Sequence, residues 1–166
     1  MKTYYYAGGI KIELQDDTEH VAVDRTVASQ ELVERLGDSL AGAPQQFGGM
    51  LIAPKASISA ENLASLERAG ALRPVFRHNR AMLVALPEVR VELDNMAQRK
   101  SVAKVLADSK PTMVIAEETE SRLVLKPASG SSTDALNMAN EIYERARPAA
   151  SSVRFLQFVP KPNTKV

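Results

Sequence analysis

The sequence predicts an α+β fold made of two tandem small α/β units, the second of them ferredoxin-like, β-α-β-β-α-β, with a four-stranded antiparallel sheet and two helices on one face. Three observations carry this expectation. The stretch EVRVEL (88–93) alternates apolar and charged residues; two helical patterns follow capping residues at Asp94 and Ser131; and a serine-capped helix leading into a strand recurs in the first half.

In EVRVEL, Val89, Val91 and Leu93 fall on one face and Glu88, Arg90 and Glu92 on the other, the pattern of a half-buried strand. Behind Asp94 as cap, Met96, Val102, Val105 and Leu106 recur at helical spacing, and Lys110-Pro111 ends the helix after Asp108. TMVIAEE and RLVLK, separated by a polar turn around 119–121, form a hairpin over 112–126. After the loop PASGSS, Ser131 with Asp134 three residues on starts a helix lined by Leu136, Ala139, Ile142, Tyr143 and Ala146, terminated by Pro148. A final strand covers 153–159.

The first half is read the same way. HVAVDR is a strand, 29–40 a helix facing inward with Leu32, Val33, Leu36 and Leu40, and GMLIA a buried strand after Gly48 and Gly49. Ser59 caps a helix through Leu63 and Leu66 that stops at Gly70. The extended runs LRPVFRH and RAMLVAL flank a turn at 78–80. The expected units are 1–87 and 88–166, divided near Leu86 and Pro87.

Lys plus Arg number 21 against 20 Asp plus Glu, with no run of one sign, which argues against a nucleic acid partner. The absence of cysteine excludes a disulfide framework and a thiolate site. No long apolar stretch marks a signal peptide or membrane span, so the expected compartment is cytoplasmic for the chain as written, or secreted for a fragment of a larger precursor.

No catalytic, cofactor or metal set stands out. His20 and His78 have no evident acidic partner and read as surface histidines. Glu117, Glu118 and Glu120 sit at a hairpin tip, a solvated turn before it is a cation site. Gly8-Gly9 and Gly48-Gly49 lack the context of a phosphate loop and read as turns. Tyr4, Tyr5 and Tyr6 cannot all point one way from a strand, so a structural strand is favoured over a base-stacking platform. Attention therefore moves to surfaces. In VRFLQFV, Val153, Phe155, Gln157 and Val159 share one face and Arg154, Leu156 and Phe158 the other, so both faces of an expected edge strand are apolar.

Three stretches resemble the N-terminal prodomains of subtilisin-like serine proteases and their standalone inhibitor relatives. TYYYAGGIKIEL…HVAVD is similar to the Tyr-x-Tyr-x-Gly-Gly starts of bacterial subtilase precursors, RPVFRHNRAMLVALPEVRVEL to the connection before a second propeptide unit, and STDALNMANEIYE…VRFLQFVPKPN to the last helix and strand. The resemblance covers nearly the whole chain as a tandem. It implies a non-enzymatic inhibitor or folding chaperone whose sheet docks on a subtilisin-like serine protease through Phe155, Gln157, Phe158 and Val159. The tail Pro162, Asn163, Thr164, Lys165 and Val166 would then lie in the substrate cleft, pre-extended by Pro160 and Pro162. The family's late-strand carboxylates, which cap protease helices, are replaced here by Gln157 and Val159, leaving Glu117, Glu118 or Glu120 as possible acidic docking groups. The alternative is an interaction or regulatory module that keeps the prodomain fold and binds a non-protease partner.

Overall fold

Gly8 and Gly9 take φ angles of 56° and 78°. This is the left-handed geometry that a two-residue hairpin turn requires and that glycine adopts without a Cβ penalty. They join strands β1 (Thr3–Ala7) and β2 (Ile10–Asp16), antiparallel with Tyr4 opposite Glu13 and Tyr6 opposite Lys11. The computed structural model describes residues 3–41, 45–47, 49–110 and 112–158. The chain separates into two compact units, Met1–Leu14 with Ala85–Phe155, and Gln15–Val84, to which it returns at Leu156. The division expected at 87/88 thus has a neighbour at 84/85, while the N-terminal hairpin groups with the later residues.

The unit formed by Gln15–Val84 contains β3 (His20–Asp24), α1 (Gln30–Ala41), β4 (Gln45–Phe47), β5 (Met50–Pro54), α2 (Ala60–Arg68) and β6 (Leu72–Arg73). The sheet order is β6-β3-β5-β4, every pair antiparallel. Both helices start on a serine: the Ser29 hydroxyl accepts the Leu32 N–H at 3.2 Å and the Ser59 hydroxyl accepts the Asn62 N–H at 3.2 Å. The helical pair Leu32/Leu36 and Leu66 pack with Val23, Leu51, Ala53 and Ile58 into one core. Each large side chain so enclosed stabilises the fold by roughly 1.5–3 kcal/mol. Ala22 and Ile52, on the opposite sheet face, are fully buried too. The short strand β4 was not expected from the sequence.

LRPVFRH is not one extended run. It breaks at Pro74, which has no N–H to offer a ladder, into β6, paired with β3, and β7 (Val75–His78), paired with the end of β2 and the start of β8 (Ala81–Glu92). Conversely, no break occurs at Leu86-Pro87. β8 runs through it because Pro87 lies between the ladder of residues 81–84 with β7 and that of 89–92 with β10 (Arg122–Pro127), so its missing donor weakens neither.

The other unit continues with α3 (Met96–Asp108), β9 (Met113–Glu118), β10, α4 (Ser132–Ala146) and β11 (Ala150–Phe158), in the sheet order β11-β8-β10-β9. Val89 and Val91 face Leu125 and Leu123 across the ladder, and α4 packs against α3, β10 and β1. The cap of α3 is Asn95, not Asp94. The Asn95 side chain accepts the Gln98 N–H at 2.9 Å while the Gln98 side chain accepts the Asp94 N–H at 2.6 Å, and only Asn95 has a glutamine three residues on. Met96, expected to face inward, is 64% exposed in the first turn of α3. α4 ends on Arg147 in the left-handed region (φ 48°), just before Pro148. The last strand begins at Ala150, three residues before the expected start, and Val159 lies outside the described residues. The fold is therefore α+β with antiparallel sheets. Among the described residues, no helix is long and apolar enough to cross a membrane.

Candidate docking surface

The alternation in EVRVEL gives the sheet β11-β8-β10-β9 one polar face. Arg122 pairs with Glu92 and Val124 with Arg90 across the ladder, so Glu88, Arg90, Glu92, Arg122 and Lys126 emerge on the side opposite Val89, Val91 and the helices. Glu88 is shared, taking Arg90 Nε at 3.2 Å and Arg154 of β11 at 3.8 Å, while Arg122 and Glu92 stand 3.8 Å apart. With the arginine about half exposed in every pair, each contributes about 0–1 kcal/mol. They are a surface rather than a source of stability.

The expected acidic group is divided by the strand period, and a bulge decides which glutamate takes which face. The β9 register runs Val114↔Lys126 and Ile115↔Leu125, then Glu117↔Val124 and Glu118↔Leu123, leaving Ala116 as the extra residue. Glu117 consequently falls on the charged face and Glu118 on the helix side, where Arg99 Nη1 of α3 meets it at 2.5 Å. The same guanidinium donates to the carbonyls of Thr119 and Glu120. An open cleft of about 660 Å³ lies here, lined by Asp94, Met96, Arg99, Glu118 and Glu120 among others. Glu118 and Glu120 thus line this cleft together, while Glu117 lies on the other face of the sheet.

On the last strand, Phe155 is half-buried and sets its ring edge-on to Tyr5 at 4.9 Å, Gln157 is exposed, and Phe158 is buried. Val159, Pro160, Pro162, Asn163, Thr164, Lys165 and Val166 lie outside the described residues.

Two clusters escaped the sequence. Tyr4 and Tyr6, two apart on β1, share a face, as the strand period requires. Both hydroxyls donate to Glu144 of α4, at 3.2 and 3.0 Å; Tyr6 stacks on Tyr143 at 4.3 Å, and Lys11 sits 4.0 Å above the Tyr4 ring. Partial burial and the Glu144 carboxylate push both tyrosine hydroxyls above the ordinary phenol range. The second cluster corrects the view of His20 as lacking an acidic partner. Asp17, its side chain 1% exposed, accepts the N–H groups of Glu19 and His20 at 2.9 Å each, His20 Nδ1 at 3.1 Å and Arg77 Nε at 2.9 Å. Burial alone would raise the Asp17 pKa, but these donors outweigh it and hold it below the usual carboxylate range. The three-residue spacing Asp17…His20 was the available signal, an Asx turn delivering the ring to the carboxylate.

No protein-family model and no curated protein matches this chain.

Proposed function

We propose that the chain is a non-enzymatic, propeptide-like inhibitor or folding chaperone of a subtilisin-like serine protease, built as two tandem ferredoxin-like units. The supporting observation is the repeated topology. Residues 20–73 and 81–158 each run β-α-β-β-α-β, and their sheets have the corresponding orders β6-β3-β5-β4 and β11-β8-β10-β9. The docking surface in this reading is the charged face of the second sheet, to which β11 contributes Arg154, and the tail 162–166 enters the protease cleft as a product-like strand.

Titration into a subtilisin-type protease assay is expected to give inhibition that deletion of residues 163–166 reduces by at least about tenfold, the loss of several main-chain hydrogen bonds. Inhibition that survives the deletion removes the tail mechanism; no inhibition by either form sinks the protease reading. A second reading, an interaction module with a non-protease partner, is favoured by the mixed-charge outer face, Arg90, Arg122, Lys126 and Arg154 beside Glu88, Glu92 and Glu117. That composition suits a partner of complementary charge pattern rather than helix termini alone.

A further inference from the structure

We infer that β9 is a self-association edge, through which a second copy of this chain adds its own β9 antiparallel to the first. Among the described residues, β9 pairs with β10 alone, so one side of it carries open backbone groups. The Thr112 carbonyl accepts the Ala128 N–H at 2.9 Å. The strand period then turns the N–H and C=O of Thr112 and Val114 toward β10 and those of Met113 and Ile115 outward. Val114 and Ile115 are 53% and 50% exposed, and of the exposed large apolar residues Ile10, Val27, Met96, Val114 and Ile115 they are the adjacent pair. One strand therefore presents free hydrogen-bonding groups and branched side chains, which have high strand preference, together.

The charges select the occupant and its direction. Lys110 precedes β9, while Glu117, Glu118 and Glu120 lie at or beyond its other end. An antiparallel second copy brings each Lys110 toward the other's glutamates, whereas a parallel strand sets acid beside acid. Pairing the outward residues puts Met113 opposite the second copy's Ile115 and Val114 against itself on a two-fold axis. The contact is isologous and closes as a dimer rather than a fibre. The Ala116 bulge ends the regular edge immediately afterwards, so the register cannot slip toward the glutamates.

Sedimentation velocity of the full chain over a concentration series is expected to show a monomer-dimer equilibrium. Ile115→Lys should raise its Kd by about tenfold or more, by placing a charge in the centre of the contact. Lys110→Glu and Glu117→Lys alone should each weaken it several-fold, and the two combined should weaken it clearly less than the product of the two, since the swap restores one opposite-charge pair at each end. Far-UV circular dichroism confirms that each variant is folded, and the restoring pair keeps the test decisive if Ile115→Lys is not. A single monomeric species at every concentration overturns the inference, as does association that neither set of variants changes. A monomeric chain whose β9 variants instead weaken protease binding also overturns it, and assigns the edge to a foreign strand.

Discussion

In the sheet β6-β3-β5-β4, Ala22 and Ile52 are as fully buried as Val23, Leu51 and Ala53 on the opposite face, whereas in β11-β8-β10-β9 Val89 and Val91 are buried and Arg90 and Glu92 are exposed. The strand order is the same; the exposure is not. Topology thus decides which strands are neighbours, while the side-chain period decides whether a face is left for a partner. One sheet is enclosed on both sides. The other keeps a charged face.

The sharpest way to break this contrast is to truncate one residue from each. Ile52→Ala should cost about 2–5 kcal/mol, as removal of a fully buried branched side chain does. Arg90→Ala should stay within about 0.5 kcal/mol, as exposed surface changes do. Urea denaturation of both variants measures this, and equal losses would mean that the second sheet is enclosed as well.

A smaller effect is expected at Asp17, whose side chain is enclosed in the same unit as Ile52. Asp17→Ala should destabilise by about 2–3 kcal/mol, because Arg77 and two N–H groups lose a charged acceptor. The sign with pH follows from the depressed pKa. Asp17's contribution is fully present above about pH 4, the ordinary carboxylate value, and is lost as the pH falls through its lower folded value. Denaturant midpoints of the wild type should therefore fall on acidification more steeply than those of Asp17→Ala.

The smallest effect concerns the unit with the charged face. Glu144→Gln keeps an acceptor for Tyr4 and Tyr6 but removes the charge, so only the charge-assisted part of the contact is lost. Raised tyrosine pKa values mean that this contribution is complete below about pH 10 and is lost as the pH rises further. A spectrophotometric tyrosine titration should shift downward in Glu144→Gln. An unmoved titration would separate the tyrosines from Glu144 and reduce their role to packing.

What the sequence disclosed followed its local signals. Alternation in EVRVEL, the serine caps at Ser59 and Ser131, and the stop at Gly70 are fixed within a few residues, and all are found in the structure. Prolines misled in both directions. Pro74 splits a run and Pro87 does not, because the outcome depends on whether the missing N–H faces a partner strand, a non-local matter. At the surface the limit was similar. The bulge at Ala116, which decides that Glu118 and not Glu117 takes the helix side, arises from the β10 register, and the Glu144 carboxylate meets tyrosines about 140 positions earlier in the chain. Periodicity cannot report such pairings.

The tie between β1 and α4 also has a consequence for synthesis. Tyr4 waits for Glu144, 140 residues later, and at about 5–20 residues per second that delay is on the order of ten seconds. The core of Val23, Leu32, Leu36, Leu51 and Leu66 is complete by then, since Val23 through Ala71 are already made. That core can close first during translation while the N-terminal hairpin, with its three tyrosines, remains unclaimed. A chaperone or ribosome-bound factor would therefore meet this hairpin before α4 does.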